Sequence, residues 1–327
     1  MGCCLGGRRA ADLMPTSRVI FSVVLTMLAV IVLVAPVAKA VVDATLEAKF
    51  ATVRHAASSL LRVRDVGEGT TYEFGRVLRR LLMLVLVVLL VLWRKSLRVG
   101  EVTRGAFLPA RSAMWHGLAG FLGGGLFLLA FVCLLWLFGG CPLRQDSLPL
   151  AGLVRRLPGI LGAALLTSVI EEWLFRGVVF DGLRREMRLG WAVLAAAVLF
   201  ALAHLTGIRL PVEPGIDPLV GGRFIMRAAA ACLEVPWLLS LVFLTLVGAI
   251  LCLTRTYSGT IYLAIGLHAG GILLLKVFPL YFQAVRTPGL DWFFGYRPPI
   301  GGVLGIGLLA IVVLVLAVGS RGRRQSL

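Results

Sequence analysis

Six residues of this 327-residue chain are of types that could do chemistry together. Glu171 and Glu172 stand side by side in the stretch SVIEEWLFRGVVF, with Arg176 four residues after the second acid. Phe200 and His204 lie in FALAH, and His268 lies in GLHAG. On a helix Glu172 and Arg176 are one turn apart, with the acid N-terminal to the base, the orientation that favours an ion pair. Glu171 then points about 100° away from Glu172. A structural pair needs only one carboxylate, so Glu172 reads as neutralised by Arg176 and Glu171 as left for chemistry. Phe200, one turn before His204, reads as a wall of the same pocket.

A carboxylate with two histidines supports two chemistries. Glu171 could act as general base on a water, with one histidine assisting that water and the other donating to the oxyanion of a tetrahedral intermediate. Glu171, His204 and His268 could instead hold a catalytic zinc with an open fourth position. The chain has no HExxH and the three residues are dispersed, so spacing alone leaves both open.

The setting gives these charges their weight, because an ionisable residue in a membrane-spanning helix costs about 2.5–3.5 kcal/mol on insertion. The chain is 59% apolar and only 15% charged, where soluble domains have about 45–50% and about 25%. That excludes a water-soluble globular enzyme and a disordered chain, and predicts an all-α polytopic transmembrane helical bundle. The 33 Lys and Arg outnumber the 16 Asp and Glu. In a bundle this excess reads as topological signals and helix-end anchors rather than a nucleic-acid surface. The six cysteines show no ligand spacing and read as buried small side chains.

The elements that must position the six residues follow from the apolar runs. Val19–Ala38, Gly117–Gly140, Val235–Thr254, Thr256–Leu275 and Pro298–Ser320 are uncharged and long enough to span. Leu81–Trp93 is shorter, but flanking arginines can extend it by snorkelling. Leu157–Ile170 and Gly190–Ala203, each ending at a candidate residue, bring the expectation to about eight spans. The pairs Gly120/Gly124 and Gly301/Gly305 predict close helix packing. Asp181–Arg188, just before Gly190, reads as a hairpin turn. Glu171 lies about 18 residues before position 189 and His204 about 15 after it, so both sit roughly 22–27 Å from that turn. His268, about 15 Å beyond a turn near Ser258, reaches this level only with helix tilt. Val41–Arg64 has an amphipathic pattern suited to the membrane surface. An even number of spans with basic residues at both ends places both termini in the cytoplasm, and Met14 is an alternative start to Met1.

The motifs resemble those of the CPBP family of intramembrane endopeptidases, which includes the CAAX proteases and the bacteriocin-processing (Abi) enzymes. That family is described by EExxxR, then FxxxH, then a His followed four residues later by Asn or Asp, on an eight-helix membrane core. Glu171-Glu172 with Arg176 match the first motif, and Phe200 with His204 match the second. Gly266-Leu267-His268-Ala269 is similar to the third. The resemblance covers roughly Leu157–Phe278. It divides the chain into N-terminal spans with the surface segment (1–156), a catalytic core (157–278), and a C-terminal span with a basic tail (279–327).

The resemblance implies that Glu171 is the general base, that His204 helps activate the water and that His268 stabilises the oxyanion. Glu172 and Arg176 would be a structural pair, supported by Phe200. The implied activity is hydrolysis of a peptide bond in a membrane-associated protein or peptide. The family is often described as metal-dependent, but the glutamate-and-water mechanism needs no metal and is the reading favoured here, with no cofactor. Glu171, His204 and His268 are the ligands if zinc is bound. The sequence departs from the pattern at Ile272, four residues after His268, and the chain contains no asparagine. His268 would then act with a backbone N–H of Gly270 or Gly271, or stabilise the oxyanion less well.

Two other functions fit parts of the sequence. A catalytically silent membrane scaffold or self-immunity protein accommodates Ile272. A proton-coupled transporter could use the Glu/His cluster, but it predicts repeated broken helices that the sequence lacks. The expected partners are membrane lipid and a membrane-anchored protein or peptide, with no nucleic acid. Arginine far outnumbers lysine, which reads as a GC-rich bacterial genome and hence the bacterial inner membrane.

Overall fold

The computed structural model describes residues 15–56, 78, 81–82, 84–86, 88–89, 91–97, 99–101, 110–204, 217–283, 289–296 and 301–324. Among them the protein is all-α, with no named strand and one isolated bridge between Leu143 and Phe282. The helices, named in chain order, are α1 (Thr16–Ala56), α2 (Ala110–Leu137) and α3 (Leu150–Glu172). A π-helical segment, Trp173–Phe180, follows without a break and runs into α4 (Asp181–Glu186). Then come α5 (Leu189–Ala203), α6 (Val220–Ala231), α7 (Val235–Ser258) and α8 (Tyr262–Tyr281). The short α9 (Asp291–Phe294) and α10 (Val303–Arg324) close the chain.

Five helical stretches among the described residues are long and apolar enough to cross a bilayer: Thr16–Ala40, Ala113–Leu137, Leu150–Glu186, Val235–Ser258 and Tyr262–Tyr281. Leu189–Ala203 and Val303–Gly319 are shorter apolar helices. The expected span Leu81–Trp93 lies only partly within the described residues. Val41–Arg64 is helical as far as Ala56, as a continuation of α1, and its remainder lies outside them. The expected run Thr256–Leu275 is displaced to Tyr262–Tyr281. Gly259, in a left-handed conformation with φ 71°, ends α7, a conformation that glycine adopts without steric cost. At the other end, the exposed Lys276 does not stop α8, because a lysine can carry its charge outward along its own stem.

The chain divides into two compact units, Met1–Leu97 with Ala203–Leu233, and Arg98–Leu202 with Glu234–Leu327. In the first unit α1 packs on α6, where a Cβ at Gly221 would overlap the Ile31 carbonyl. Ile31, Ala35, Ala38, Leu78, Leu82, Val220 and Phe224 form its buried cluster. Lys39 is buried on α1 and satisfied by Asp43 at 2.8 Å.

The second unit is organised around α8, which packs against α2, α3 and α7. The α2–α8 contact is backbone on backbone. A Cβ at Gly120 or Gly124 would overlap the carbonyls of Leu263 or Leu267, and one at Gly266 or Gly270 those of Gly117 or Phe121. Small residues permit such an approach between membrane helices. Leu128, Phe131, Val132, Leu135 and Phe278 fill the space beyond the glycines. The end of α8 is tied to the α2–α3 connection by Arg144 N–H to Tyr281 O (2.8 Å) and Gln283 N–H to Pro142 O (2.9 Å). α3 begins where α8 ends, so the two helices run antiparallel.

Candidate active site

Five of the six residues singled out above come together in the second unit, on α3, the π-helical segment, α5 and α8. Ala164, Ser168 and Glu172 form the fully buried stripe of α3. Their i, i+4 spacing puts them on one helix face, and Glu172 meets His268 of α8 there. Directly after Glu172 the backbone changes to π-helical pairing, in which each turn holds more residues than an α-turn. Arg176 lies in this segment, four residues after Glu172 and paired with it.

Arg176 is the most tightly held cation of the site. Its Nη1 donates to Glu172 Oε1 at 3.0 Å and its Nη2 to the carbonyl of Gly248 on α7 at 3.3 Å. Gly248 lies against Ala197 of α5, 2.9 Å from where a Cβ would stand. The guanidinium sits 4.5 Å from the ring centroid of Phe200, an arrangement in which the ring face attracts the cation. Phe200 also meets Phe175 edge-on at 5.3 Å and His268 at 5.8 Å. Glu172, Arg176 and Phe200 are all closed off from solvent.

His268 touches both acids. Its Nδ1 lies 2.8 Å from Oε1 of Glu172, and its Nε2 lies 3.8 Å from Oε2 of Glu171. A carboxylate oxygen at 2.8 Å can only accept, so Nδ1 carries the proton and Nε2 is the nitrogen turned toward Glu171. The two acids occupy different environments: the Glu171 side chain is 19% exposed and that of Glu172 is 0% exposed. The 3.8 Å gap exceeds a direct hydrogen bond, yet a single water at about 2.8 Å from each atom would bridge it from the side.

His204 follows α5 directly, one turn after Phe200, and is half-buried. It belongs to the first unit, whereas the other five residues belong to the second. Gly270 and Gly271 lie in the interior of α8, where N–H groups are engaged by carbonyls four residues earlier, so they supply no donor beside His268. Ile272 is on the same helix, one turn beyond His268. Among the described residues no three His, Cys, Asp or Glu side chains are grouped to hold a metal ion.

Sequence reasoning passes over two features of this site. The π-helical turn has no signature in residue type. Ser168 is fully buried one turn before Glu172, and its only signal is a hydroxyl at i−4 from a buried acid.

Comparison with curated proteins and with solved structures gives no match. The family scan does match: residues 152–271 fit the family model for type II CAAX prenyl endopeptidase Rce1-like proteins. Those residues hold EExxxR, FxxxH and the histidine of the third motif, so that about a third of the chain is similar to the Rce1-like CAAX endopeptidases, in a chain with five helical stretches among the described residues long and apolar enough to cross a membrane.

Proposed function

We propose that the protein is an intramembrane endopeptidase in which Glu171 activates water to hydrolyse a peptide bond of a membrane-associated protein or peptide. The observation that carries this reading is the unequal treatment of two adjacent acids. Glu172 is sealed between Arg176 and His268, while Glu171 is partly open beside His268 Nε2. Glu171 accepts the proton of a water placed between its carboxylate and His268, and the water oxygen attacks the scissile carbonyl carbon. The C–N bond breaks as the tetrahedral intermediate collapses, and the proton held by Glu171 passes to the leaving amine. His268, fixed by its Nδ1–H bond to Glu172, keeps the oxyanion-stabilising role that the third motif implies. His204 keeps the water-activating role that the FxxxH pattern implies. Membrane insertion of the chain supports a substrate presented from the lipid phase, and its arginine-rich composition favours a bacterial cell membrane.

The test is cleavage by the full-length protein reconstituted in lipid vesicles with membrane-anchored reporter peptides. Wild type should release product, and Glu171→Gln should lose activity by at least about 10³-fold, as expected when a catalytic base is removed from a preorganised site. Equal cleavage by Glu171→Gln and wild type, or no cleavage of any reporter by wild type, would overturn the reading.

A further inference from the structure

We infer that Ser168 is a second oxyanion donor of this site, supplying from α3 the hydrogen bond that Ile272 cannot supply from α8. The inference rests on the endopeptidase reading above. Its starting point is an unmet need. An oxyanion formed in a low-dielectric site is stabilised by several aimed donors, and His268 is the one that the third motif implies. The N–H groups of Gly270 and Gly271 are spent inside α8, and Ile272 has no polar atom.

Ser168 is the buried hydroxyl of the same wall. It is 0% exposed, and its Oγ has no hydrogen-bond partner. That sets it apart from six other helical hydroxyls among the described residues. Ser22, Thr26, Ser240, Thr245, Thr256 and Ser258 each bond back to the carbonyl four residues earlier. This is the usual way for a helix to satisfy a hydroxyl in an apolar setting. A buried hydroxyl without a partner carries a desolvation penalty, so its presence calls for a function that the resting structure does not display.

Placement agrees with that function. At about 100° per residue, Glu171 projects about 60° to one side of Ser168 and Glu172 about 40° to the other, each about one turn away along the axis. Ser168 thus lies beneath the space between the two acids. α3 and α8 run antiparallel and meet at Glu172 and His268. One turn back along α3 therefore leads in the same direction as one turn forward along α8, from the Glu172–His268 contact toward the end of α8 that carries Ile272. The attacked carbonyl, held between Glu171 and His268, can direct its oxygen the same way, toward Ser168 Oγ–H, which donates to it. The hydroxyl keeps its proton throughout, so no bond to Ser168 forms or breaks.

The experiment compares steady-state cleavage by wild type, Ser168→Ala, Ile272→Asn and the double variant, with Glu171→Gln as the inactive control. Ser168→Ala should lower kcat about 10–100-fold, somewhat less than a complete oxyanion-donor loss, and leave KM within about two-fold. Its melting temperature in detergent should be unchanged or higher, because an unpartnered hydroxyl is removed. The Ser168→Ala/Ile272→Asn double variant should regain most of the lost kcat, since an amide at 272 offers a donor one turn beyond His268 from the opposite helix. An unchanged kcat in Ser168→Ala would overturn the inference while leaving the endopeptidase reading intact. So would a loss of kcat that tracks a fall in melting temperature and is not rescued by Ile272→Asn. If wild type shows no Glu171-dependent cleavage, the endopeptidase reading fails and Ser168 has no oxyanion to serve.

Discussion

Nδ1 of His268 lies 2.8 Å from Oε1 of Glu172, the same oxygen that receives Nη1 of Arg176. One carboxylate oxygen thus joins three elements: α3, the π-helical segment and α8. Glu172 neutralises a buried arginine and also turns Nε2 of an imidazole toward its neighbour Glu171. The two roles can be separated by mutation.

Arg176→Met should destabilise the protein by about 3–5 kcal/mol, because breaking a buried pair leaves an uncompensated charge. Replacing both partners, as in Glu172→Leu/Arg176→Met, should restore most of that stability. The double variant should nevertheless stay nearly inactive, because His268 has lost its Nδ1 partner. Melting in detergent and kcat, measured on the same samples, check this. Recovery of activity together with stability would show that the pair serves stability alone.

Gly124→Ala and Gly266→Ala should each cost roughly 1–3 kcal/mol, the range for overpacking a close contact, since each added Cβ meets partner backbone. Both should also reduce cleavage, because α8 carries His268. Gly125→Ala is the control, with nothing within 4 Å of its Cβ position. Thermal melts and initial rates on the three variants distinguish a rigid seam from a tolerant one.

Phe200→Leu should weaken the site without abolishing it. The ring supports the Arg176 guanidinium at 4.5 Å and the His268 imidazole at 5.8 Å. Loss of a desolvated cation–π contact is worth about 2 kcal/mol. We expect a lower melting temperature and a kcat that falls less than in Glu171→Gln, read from the same vesicle assay.

Excess chelator should leave cleavage unchanged, because Glu171 activates water directly in the mechanism proposed here. Loss of activity with EDTA or phenanthroline, restored by zinc, would instead make Glu171, His204 and His268 ligands of a catalytic metal.

The parts legible in the sequence are those set by local chemistry. Glu171 and Glu172 stand out because charge is scarce in an apolar chain, and the i, i+4 spacing to Arg176 describes a pair that the structure contains. Gly120 and Gly124 are legible as a packing stripe, but their partners Gly266 and Gly270 are hidden in the string that also carries His268. The π-helical turn is invisible because it is a one-residue change in backbone pairing. The bond from His268 to Glu172 joins positions on separate helices, and only packing brings them together. Ser168 is unremarkable as a residue type. Its burial without a hydrogen bond is visible only in the structure.

The glycine contact between α2 and α8 also bears on how a substrate arrives. Where two helices touch through their backbones, no peptide can slip between them, so this seam is not a lateral doorway from the bilayer. His268 lies about 160° around α8 from Gly266 and Gly270. A polypeptide diffusing in the membrane plane must therefore approach Glu171 from the flank that α2 does not cover, and the direction of entry is set by glycines that never meet the substrate.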